Sequence, residues 1–442
     1  MAAGIAALVL VSLGTAAVAA AGSVTFGKPT AIFRYREFVE FRQPLTTTAT
    51  VHRAEVLVSY PDALGPHVTE VDPPGRAGTA TLTHRIRLGD GHILPNTHLT
   101  ARWRVTDADG AVTLGPEVGL TYADTSVTWQ TLAGAIVRVH WYEGGDAFGK
   151  RALEIGDKAV AEASGLLGVQ ETEPVDFFVY ADQDTFYDAL GPGTRENVGG
   201  QANAGIRTLF ALITPGEIDD SWVGVVIPHE IVHLVFDTAV DNPYHFPPRW
   251  LNEGLAVYQS EGYAQTNRTA IRSAIRDGSL IPLDGLTGQF PTSRAKFFLA
   301  YAESVSAVDF LVRTHGRDAL VSLIRSYADG RTDDEAFTSA IGIDTKAFNA
   351  AWFADIGAPQ AVPRGPQPAP AGPLPSGWQG PAPRPSTVPA PSIQPGGPTA
   401  PIPDARSQEP LVLVVGLLVV FGLVGIFALE ARRRMIRERW RP

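Results

Sequence analysis

Two short motifs place four residues with metal chemistry within reach of one another. His229 and His233 stand four positions apart, so on a helix both rings point from one face and can reach the same ion. Glu230 flanks that face, where it can hold and deprotonate a water at the metal rather than serve as a ligand. Glu253, on a second helix, would supply the third ligand and leave a fourth position for water. The pattern predicts a catalytic zinc site with one zinc per chain.

The residues around these motifs are typical of two helices that meet at an active site. The flanks of the histidine pair, 225–227 and 234–236, are apolar, as expected of a helix buried beneath the floor of a cleft. Pro247 and Pro248 interrupt the chain before the helix that carries Glu253. The alternative is a buried helix whose two histidines are only hydrogen-bonded.

A family resemblance rests on residues 229–233, with the sequence HEIVH, and residues 250–256, with the sequence WLNEGLA. Together they resemble the gluzincin metallopeptidases, specifically the peptidase MA-like domains and, more distantly, the aminopeptidase-N group. The similarity extends from near residue 146 to near residue 356. It implies three zinc ligands and one catalytic base, which are His229, His233 and Glu253, and Glu230.

Two features depart from the aminopeptidase-N pattern. Nineteen residues separate His233 from Glu253, one more than in that group. Residues 199–205 lie about where the group's acidic motif for the substrate amine should be, but they contain no Glu. The resemblance therefore implies a peptidase without deciding between endopeptidase and exopeptidase action.

Three further residues are candidates for supporting roles. The oxyanion formed in peptide hydrolysis needs a donor besides the metal, and residues 300–304 resemble the helix that carries a donor tyrosine in related peptidases, which suggests Tyr301. The alternative for Tyr301 is a core aromatic, and Tyr258 is the second candidate donor. Asp237, one turn after His233, could orient a ligand histidine or could be an exposed residue.

The chain around these motifs divides into an all-β part and a mixed part. In residues 23–125, positions such as Leu99 and Trp103 alternate with polar neighbours, and short strands at this spacing predict an immunoglobulin- or fibronectin-like sandwich. Residues 126–356 predict an α+β, two-lobed zincin-type peptidase domain with the zinc between its lobes. In resembling folds the strand before the histidine helix, here 206–213, is a sheet edge along which an extended peptide can pair.

Both ends of the chain carry segments with a predicted location. Residues 1–22 are expected to be a signal peptide or an N-terminal anchor. Residues 357–410 hold 17 of the 35 prolines of the chain and predict an extended stalk. Residues 411–429 are uncharged and long enough to cross about 30 Å of hydrocarbon as a transmembrane helix. The basic tail, 430–442, would be cytoplasmic by the positive-inside rule.

Composition narrows the class of protein further. The net charge of −10, without a basic stripe outside the C-terminal tail, argues against nucleic acid as a partner. The absence of cysteine excludes disulfides and thiol catalysis, and it suits a bacterial surface protein. The sequence therefore predicts a single-pass membrane protein whose extracytoplasmic zinc metallopeptidase acts on peptide or protein substrates. The alternative is a non-catalytic surface adhesion or binding protein built on a peptidase scaffold.

Overall fold

The computed structural model describes residues 24–61, 63–89, 92–191, 199–242 and 246–360. Four predicted segments lie wholly or mostly outside these ranges: the signal or anchor segment 1–22, the linker 357–410, the membrane helix 411–429 and the tail 430–442. Within the described part of the chain, nine strands come first, and a mixed region with five more strands and nine α-helices follows. This order confirms the predicted β part followed by an α+β part.

Two antiparallel sheets form the N-terminal β region. One contains β1, β2, β3 and β6, all joined through β3, and the other has the order β5-β4-β7 with β8 and β9 both paired to β7. The strands are β1 (Val24–Phe26), β2 (Thr30–Arg34), β3 (Phe38–Thr47), β4 (Val51–Ser59), β5 (His67–Val71), β6 (Gly78–Arg87), β7 (Thr97–Asp107), β8 (Val112–Leu114) and β9 (Val118–Tyr122).

The core of the β region lies between these two sheets. Leu99, Ala101, Trp103 and Val105 of β7 are fully buried, and they pack with Phe41 and other side chains of the opposite sheet. The residues between them on β7 are more exposed, because successive side chains of a strand point to opposite faces. The alternation seen in the sequence is thus the alternation between core and outer face. The likeness to immunoglobulin or fibronectin domains stays a prediction.

A five-stranded mixed sheet supports the second region. Its order is β10-β11-β12-β14-β13, in which β11, β12 and β14 are parallel and the two outer strands are antiparallel to their neighbours. The strands are β10 (Gln130–Ala133), β11 (Val137–Trp141), β12 (Val175–Tyr180), β13 (Gly200–Asn203) and β14 (Thr208–Leu212). Every residue of the central strand β12 is buried, as expected when both faces of a sheet are covered.

The edge strands of this sheet are β10 and β13, so the prediction that residues 206–213 form an edge was wrong. β14 lies inside the sheet, paired with β12 on one side and with β13 on the other. A 3-10 turn at Ala204–Ile206 and a left-handed backbone at Arg207 reverse the chain, which folds β13 back onto β14. The edge is therefore formed by residues that lack the periodicity of a strand.

A hydrogen-bonded carboxylate joins the mixed sheet to the β region. Asp176 of β12 accepts one hydrogen bond from Arg138 at each oxygen and one from the Asn96 side chain at Oδ2, at 2.7–2.9 Å, and its Oδ1 also lies 2.9 Å from His140 Nε2. Burial raises the pKa of Asp176, but its hydrogen bonds with His140, Arg138 and Asn96 lower it to about 2. Because Asn96 belongs to the β region, this ionised group holds the two regions together.

Nine helices complete the described second region. They are α1 (Gly145–Leu167), α2 (Gln183–Leu190), α3 (Val223–Val240), α4 (Arg249–Ser260), α5 (Gln265–Asp277), α6 (Arg294–His315), α7 (Arg317–Ser326), α8 (Asp333–Ile341) and α9 (Thr345–Asp355). α4 packs closely on α6 where Gly254 meets the backbone, since a Cβ at Gly254 would lie 2.5 Å from the carbonyl oxygen of Ser304. Glycine is thus required beside Glu253 for this contact.

One helix of the described chain, α3, is long and apolar enough to cross a membrane. Of its 18 residues, 72% are buried inside the protein, where the helix packs against α1, α4 and the mixed sheet. α3 is therefore the central helix of the core. The predicted membrane helix at 411–429 is a different segment.

Glu303 on α6 is a buried carboxyl group without a charged partner among its hydrogen bonds. Its Oε1 accepts a hydrogen bond from the Ile281 backbone N–H at 2.8 Å, and its Oε2 is buried without a partner in the described chain. Burial raises the pKa of Glu303 well above its usual range. A raised pKa in the folded state means that the contribution of Glu303 to stability is fully present below the unfolded pKa of about 4.3 and is lost as the pH rises toward the folded value.

Replacing Glu303 by Gln is expected to stabilise the protein at pH 8 and to change it little at pH 4. The neutral amide keeps an acceptor for Ile281 and never ionises, which removes a penalty of up to about 1.4 kcal/mol per pH unit between the two pKa values. Thermal unfolding of both proteins at several pH values measures the difference. The exposed Glu117→Gln is the control, and a Glu303→Gln effect that is the same at pH 4 and pH 8 would contradict the assignment.

Candidate metal centre

Helices α3 and α4 bring together the three side chains predicted as metal ligands. His229 and His233 lie one turn apart on α3, and their Nε2 atoms are 3.2 Å apart. Glu253 of α4 places its Oε2 3.7 Å from His229 Nε2 and 3.5 Å from His233 Nε2. All three side chains are buried, and their ligand atoms lie within 4.8 Å of one another.

These distances fit a zinc ion. With ligand bonds of about 2.0–2.2 Å, the ligands of a tetrahedral zinc lie about 3.3–3.5 Å apart along the edges of the tetrahedron. The oxygen that faces the histidines, Glu253 Oε2, is buried and has no hydrogen-bond partner within the described residues, since both histidine nitrogens are too far away for a good hydrogen bond. A buried anionic oxygen in that state is costly unless a cation neutralises it.

Glu230 lies beside this group without being part of it. Its Oε2 accepts a hydrogen bond from the Ala202 backbone N–H of the edge strand β13, at 2.9 Å. Its Oε1 is buried and has no partner within the described residues. Burial raises the pKa of Glu230 to about 8. One anchored oxygen, one available oxygen and a pKa close to neutral suit a general base.

The contact that orients His233 comes from Asn252, which no sequence pattern had suggested. His233 Nδ1 donates to Asn252 Oδ1 at 2.8 Å, which leaves Nε2 free to bind a metal. Asp237, the predicted candidate for such a role, is partly buried one turn further along α3. The one feature of the sequence that could have indicated Asn252 is its amide side chain, which follows the apolar Trp250 and Leu251 and directly precedes Glu253.

The charges of the site shift the pKa values of its groups in different directions. Burial lowers the pKa of His229. Burial would also lower the pKa of His233, but the Glu253 carboxylate stabilises the charged ring and raises it. Burial would raise the pKa of Glu253, yet His229, His233 and Arg249 together lower it below its usual range. Glu253 is therefore ionised at neutral pH, as a carboxylate ligand must be.

Arg249 is a further residue of the site that the sequence had not revealed. It is the first residue of α4, and its Nε and Nη2 both donate to Glu253 Oε1, at 3.2 and 3.1 Å. Burial lowers the pKa of Arg249, but Glu253 and Tyr301 raise it above its usual value. A buried, permanently charged guanidinium thus contacts the oxygen of the proposed ligand that faces away from the histidines.

Tyr301 lies between the core and the site. Its ring packs on Phe290 and Phe297, with ring centroids 5.3 and 5.1 Å apart. The ring centroid of His229 is 6.5 Å from that of Tyr301. The aromatic role and the predicted donor role are therefore compatible.

Tyr258, the second candidate donor, lies on α4. It comes five residues after Glu253, which puts it about 140° around the helix from that ligand. Its side chain is partly buried and packs against the main core of the second region. The geometry of the described residues thus favours Tyr301 over Tyr258 as the hydroxyl near the site.

Comparison with known proteins gives a family match for most of this second region. Residues 155–358 match the model of the Peptidase MA superfamily, which confirms the resemblance to peptidase MA-like domains. No curated protein matches the chain in sequence. The chain is similar in structure to an M1 zinc metallopeptidase from Deinococcus radiodurans, with 13% identity over 76% of this chain and 93% of that chain and a TM-score of 0.37. It is also similar to an aminopeptidase N family protein from Idiomarina loihiensis, with 12% identity over 74% and 57% of the two chains and a TM-score of 0.29.

Proposed function

Because residues 155–358 match the model of the Peptidase MA superfamily, we propose that this protein is a zinc metallopeptidase that hydrolyses peptide bonds. The observation that carries the proposal is the arrangement of His229, His233 and Glu253, whose ligand atoms are spaced like three corners of a zinc tetrahedron. We assign one zinc to each chain. The residues present supply three ligands and a neighbouring carboxyl group, the composition of a catalytic site rather than of a structural one.

Zinc bound at these residues would supply a positive centre that acidifies water and polarises a peptide carbonyl. Glu230 takes the proton from the attacking water at Oε1, while the Ala202 N–H holds Oε2 in place. Glu230 then returns that proton to the nitrogen of the leaving amine, so no net proton is consumed. Asn252 keeps His233 in the tautomer whose Nε2 can bind the ion.

Two further groups of this chain support the substrate in the proposed reaction. The Tyr301 hydroxyl donates to the oxygen of the tetrahedral intermediate, where a second donor strengthens the stabilisation given by the metal. Strand β13 is an edge of the mixed sheet, and its backbone contacts Glu230. An extended substrate that pairs with this edge would be bound by its main chain, which selects for peptides without selecting for one side chain.

We also propose that the peptidase works outside the cell while attached to the membrane. The support is the uncharged segment 411–429, the arginines that follow it and the proline-rich stretch 357–410 before it. In this arrangement 1–22 directs export or adds an anchor, 23–125 forms a separate β domain, and 126–356 forms the peptidase domain. A bacterial cell envelope suits the absence of cysteine.

The proposal is tested with the full-length chain purified in detergent. It is expected to contain one zinc per chain by elemental analysis and to cleave a generic peptide library. Removing the metal with a chelator should abolish cleavage, and adding back one equivalent of zinc should restore it. Cleavage that persists without metal would refute zinc catalysis, and a zinc-loaded chain that cleaves nothing would support the binding-protein alternative.

A further inference from the structure

Arg249 and Glu253 form a buried pair in which two donors converge on one oxygen. Both Nε and Nη2 of Arg249 donate to Glu253 Oε1, while Oε2 faces the two histidine nitrogens. Only 19% of the Arg249 side chain is exposed, and none of the Glu253 side chain. One oxygen of the Glu253 carboxylate therefore accepts hydrogen bonds from the guanidinium, and the other faces the histidines.

Helix formation does not favour an arginine at this position. Arg249 is the first residue of α4, where the positive end of the helix dipole repels a cation. An arginine four residues before a glutamate is also the less favourable order for an ion pair along a helix. Arg249 therefore destabilises the start of α4, and the contacts of its guanidinium must offset that cost.

We propose that Arg249 is a positioning residue that turns Glu253 so that Oε2 alone binds the zinc, an inference that rests on the proposed function. A free carboxylate can rotate or bind with both oxygens, which would occupy the position needed by water. Two hydrogen bonds to Oε1 oppose this rotation, and the packing of the guanidinium over the Phe290 ring, 4.8 Å from its centroid, holds the arginine itself.

The Tyr301 ring packs on the same Phe290 ring that the guanidinium covers, with the Phe290 and Tyr301 centroids 5.3 Å apart. Arg249 therefore lies between the proposed ligand Glu253 and the proposed oxyanion donor, so a shift of the guanidinium would disturb the positions of both. A lysine at this position would keep the charge, but its single ammonium group lacks the planar fork that donates twice to Glu253 Oε1 and covers the Phe290 ring. Arg249→Lys thus keeps the positive charge and removes the hydrogen-bonding geometry of the guanidinium.

Arg249→Lys in the full-length chain is expected to weaken zinc binding about ten- to a hundredfold, as loss of a group that orients a ligand commonly does. The affinity is measured by competition with a chromogenic chelator. Cobalt substituted for zinc gives a second reading, because its visible absorption changes when Glu253 shifts from one binding oxygen to two. Arg313→Lys, which alters another ion-paired arginine 12 residues beyond Tyr301 on α6, is the control and should behave like the wild type.

Kinetics at saturating zinc test the link to Tyr301. Tyr301→Phe should lower kcat by about ten- to a thousandfold with little change in KM. If Arg249 acts through Tyr301, the double variant should lose less than the product of the two single losses. Losses that simply multiply would remove this part of the inference.

The outcomes distinguish the inference from the proposed function. A wild-type chain that binds no zinc would refute the function and, with it, the role of Arg249. A wild-type chain that binds zinc and cleaves peptides, beside an Arg249→Lys variant with the same affinity and the same cobalt spectrum, would refute only the positioning role. Thermal unfolding of each variant confirms that the comparison is made between folded proteins.

Discussion

Replacing Glu230 by Gln is expected to lower kcat by about 10²–10⁴-fold while the zinc content stays at one per chain. The amide has nearly the shape of the carboxylate and can still accept the hydrogen bond from the Ala202 N–H. It cannot take a proton from water at neutral pH. Elemental analysis and steady-state kinetics on the same preparation measure both quantities.

Glu253→Ala serves as the contrasting variant for this prediction. Because Glu253 Oε2 is the proposed third ligand, its removal should weaken the binding of the metal itself. It also leaves Arg249 buried without its anionic partner. If Glu230→Gln and Glu253→Ala lost zinc equally, the distinction between base and ligand would fail.

Replacing His229 or His233 by Ala should abolish both stoichiometric zinc and peptide cleavage. Structural zinc sites bind with about 10–16 kcal/mol shared over four ligands, so removing one ligand costs at least about a hundredfold in affinity. The zinc that remains after dialysis and the turnover of a peptide substrate are the measurements. The double variant should retain none.

An exposed histidine of the β region gives the matched control for these variants. His98 lies on β7 with its ring on the outer face, so His98→Ala removes an imidazole without touching the metal centre. Its zinc content and turnover should equal those of the wild type. Full zinc occupancy in the His229 and His233 double variant would mean that the ion binds elsewhere in the chain.

The packing of α3 explains why the metal content is the most informative measurement on these variants. The two histidines and Glu230 lie on a helix that is buried between α1, α4 and the mixed sheet. Polar groups in such a position are stable only when each has a partner. Within the described residues, Glu230 Oε1 and Glu253 Oε2 are buried without a hydrogen-bond partner, and a cation bound beside Glu253 would neutralise its oxygen.

Local patterns in the sequence were sufficient to predict three side chains that the fold brings together as candidate ligands. The spacing of His229 and His233 predicts a shared face because the helix repeats every 3.6 residues, whatever surrounds it. The alternation in β7 likewise predicts its buried face from a two-residue period. The third candidate ligand, Glu253, was found through the family resemblance of its motif. Such a motif indicates which distant residues meet in the folded chain.

Contacts between distant segments required the folded chain. Ala202 anchors Glu230 only because the turn at Ala204–Ile206 makes β13 the edge strand and brings it beneath α3. Arg249 of α4 and Tyr301 of α6 pack on the same Phe290 ring because Gly254 lets α4 approach α6. No periodicity encodes such pairs, since each depends on which elements pack together. The sequence by itself determined which side chains could bind a metal, and the tertiary packing decided which neighbours orient them.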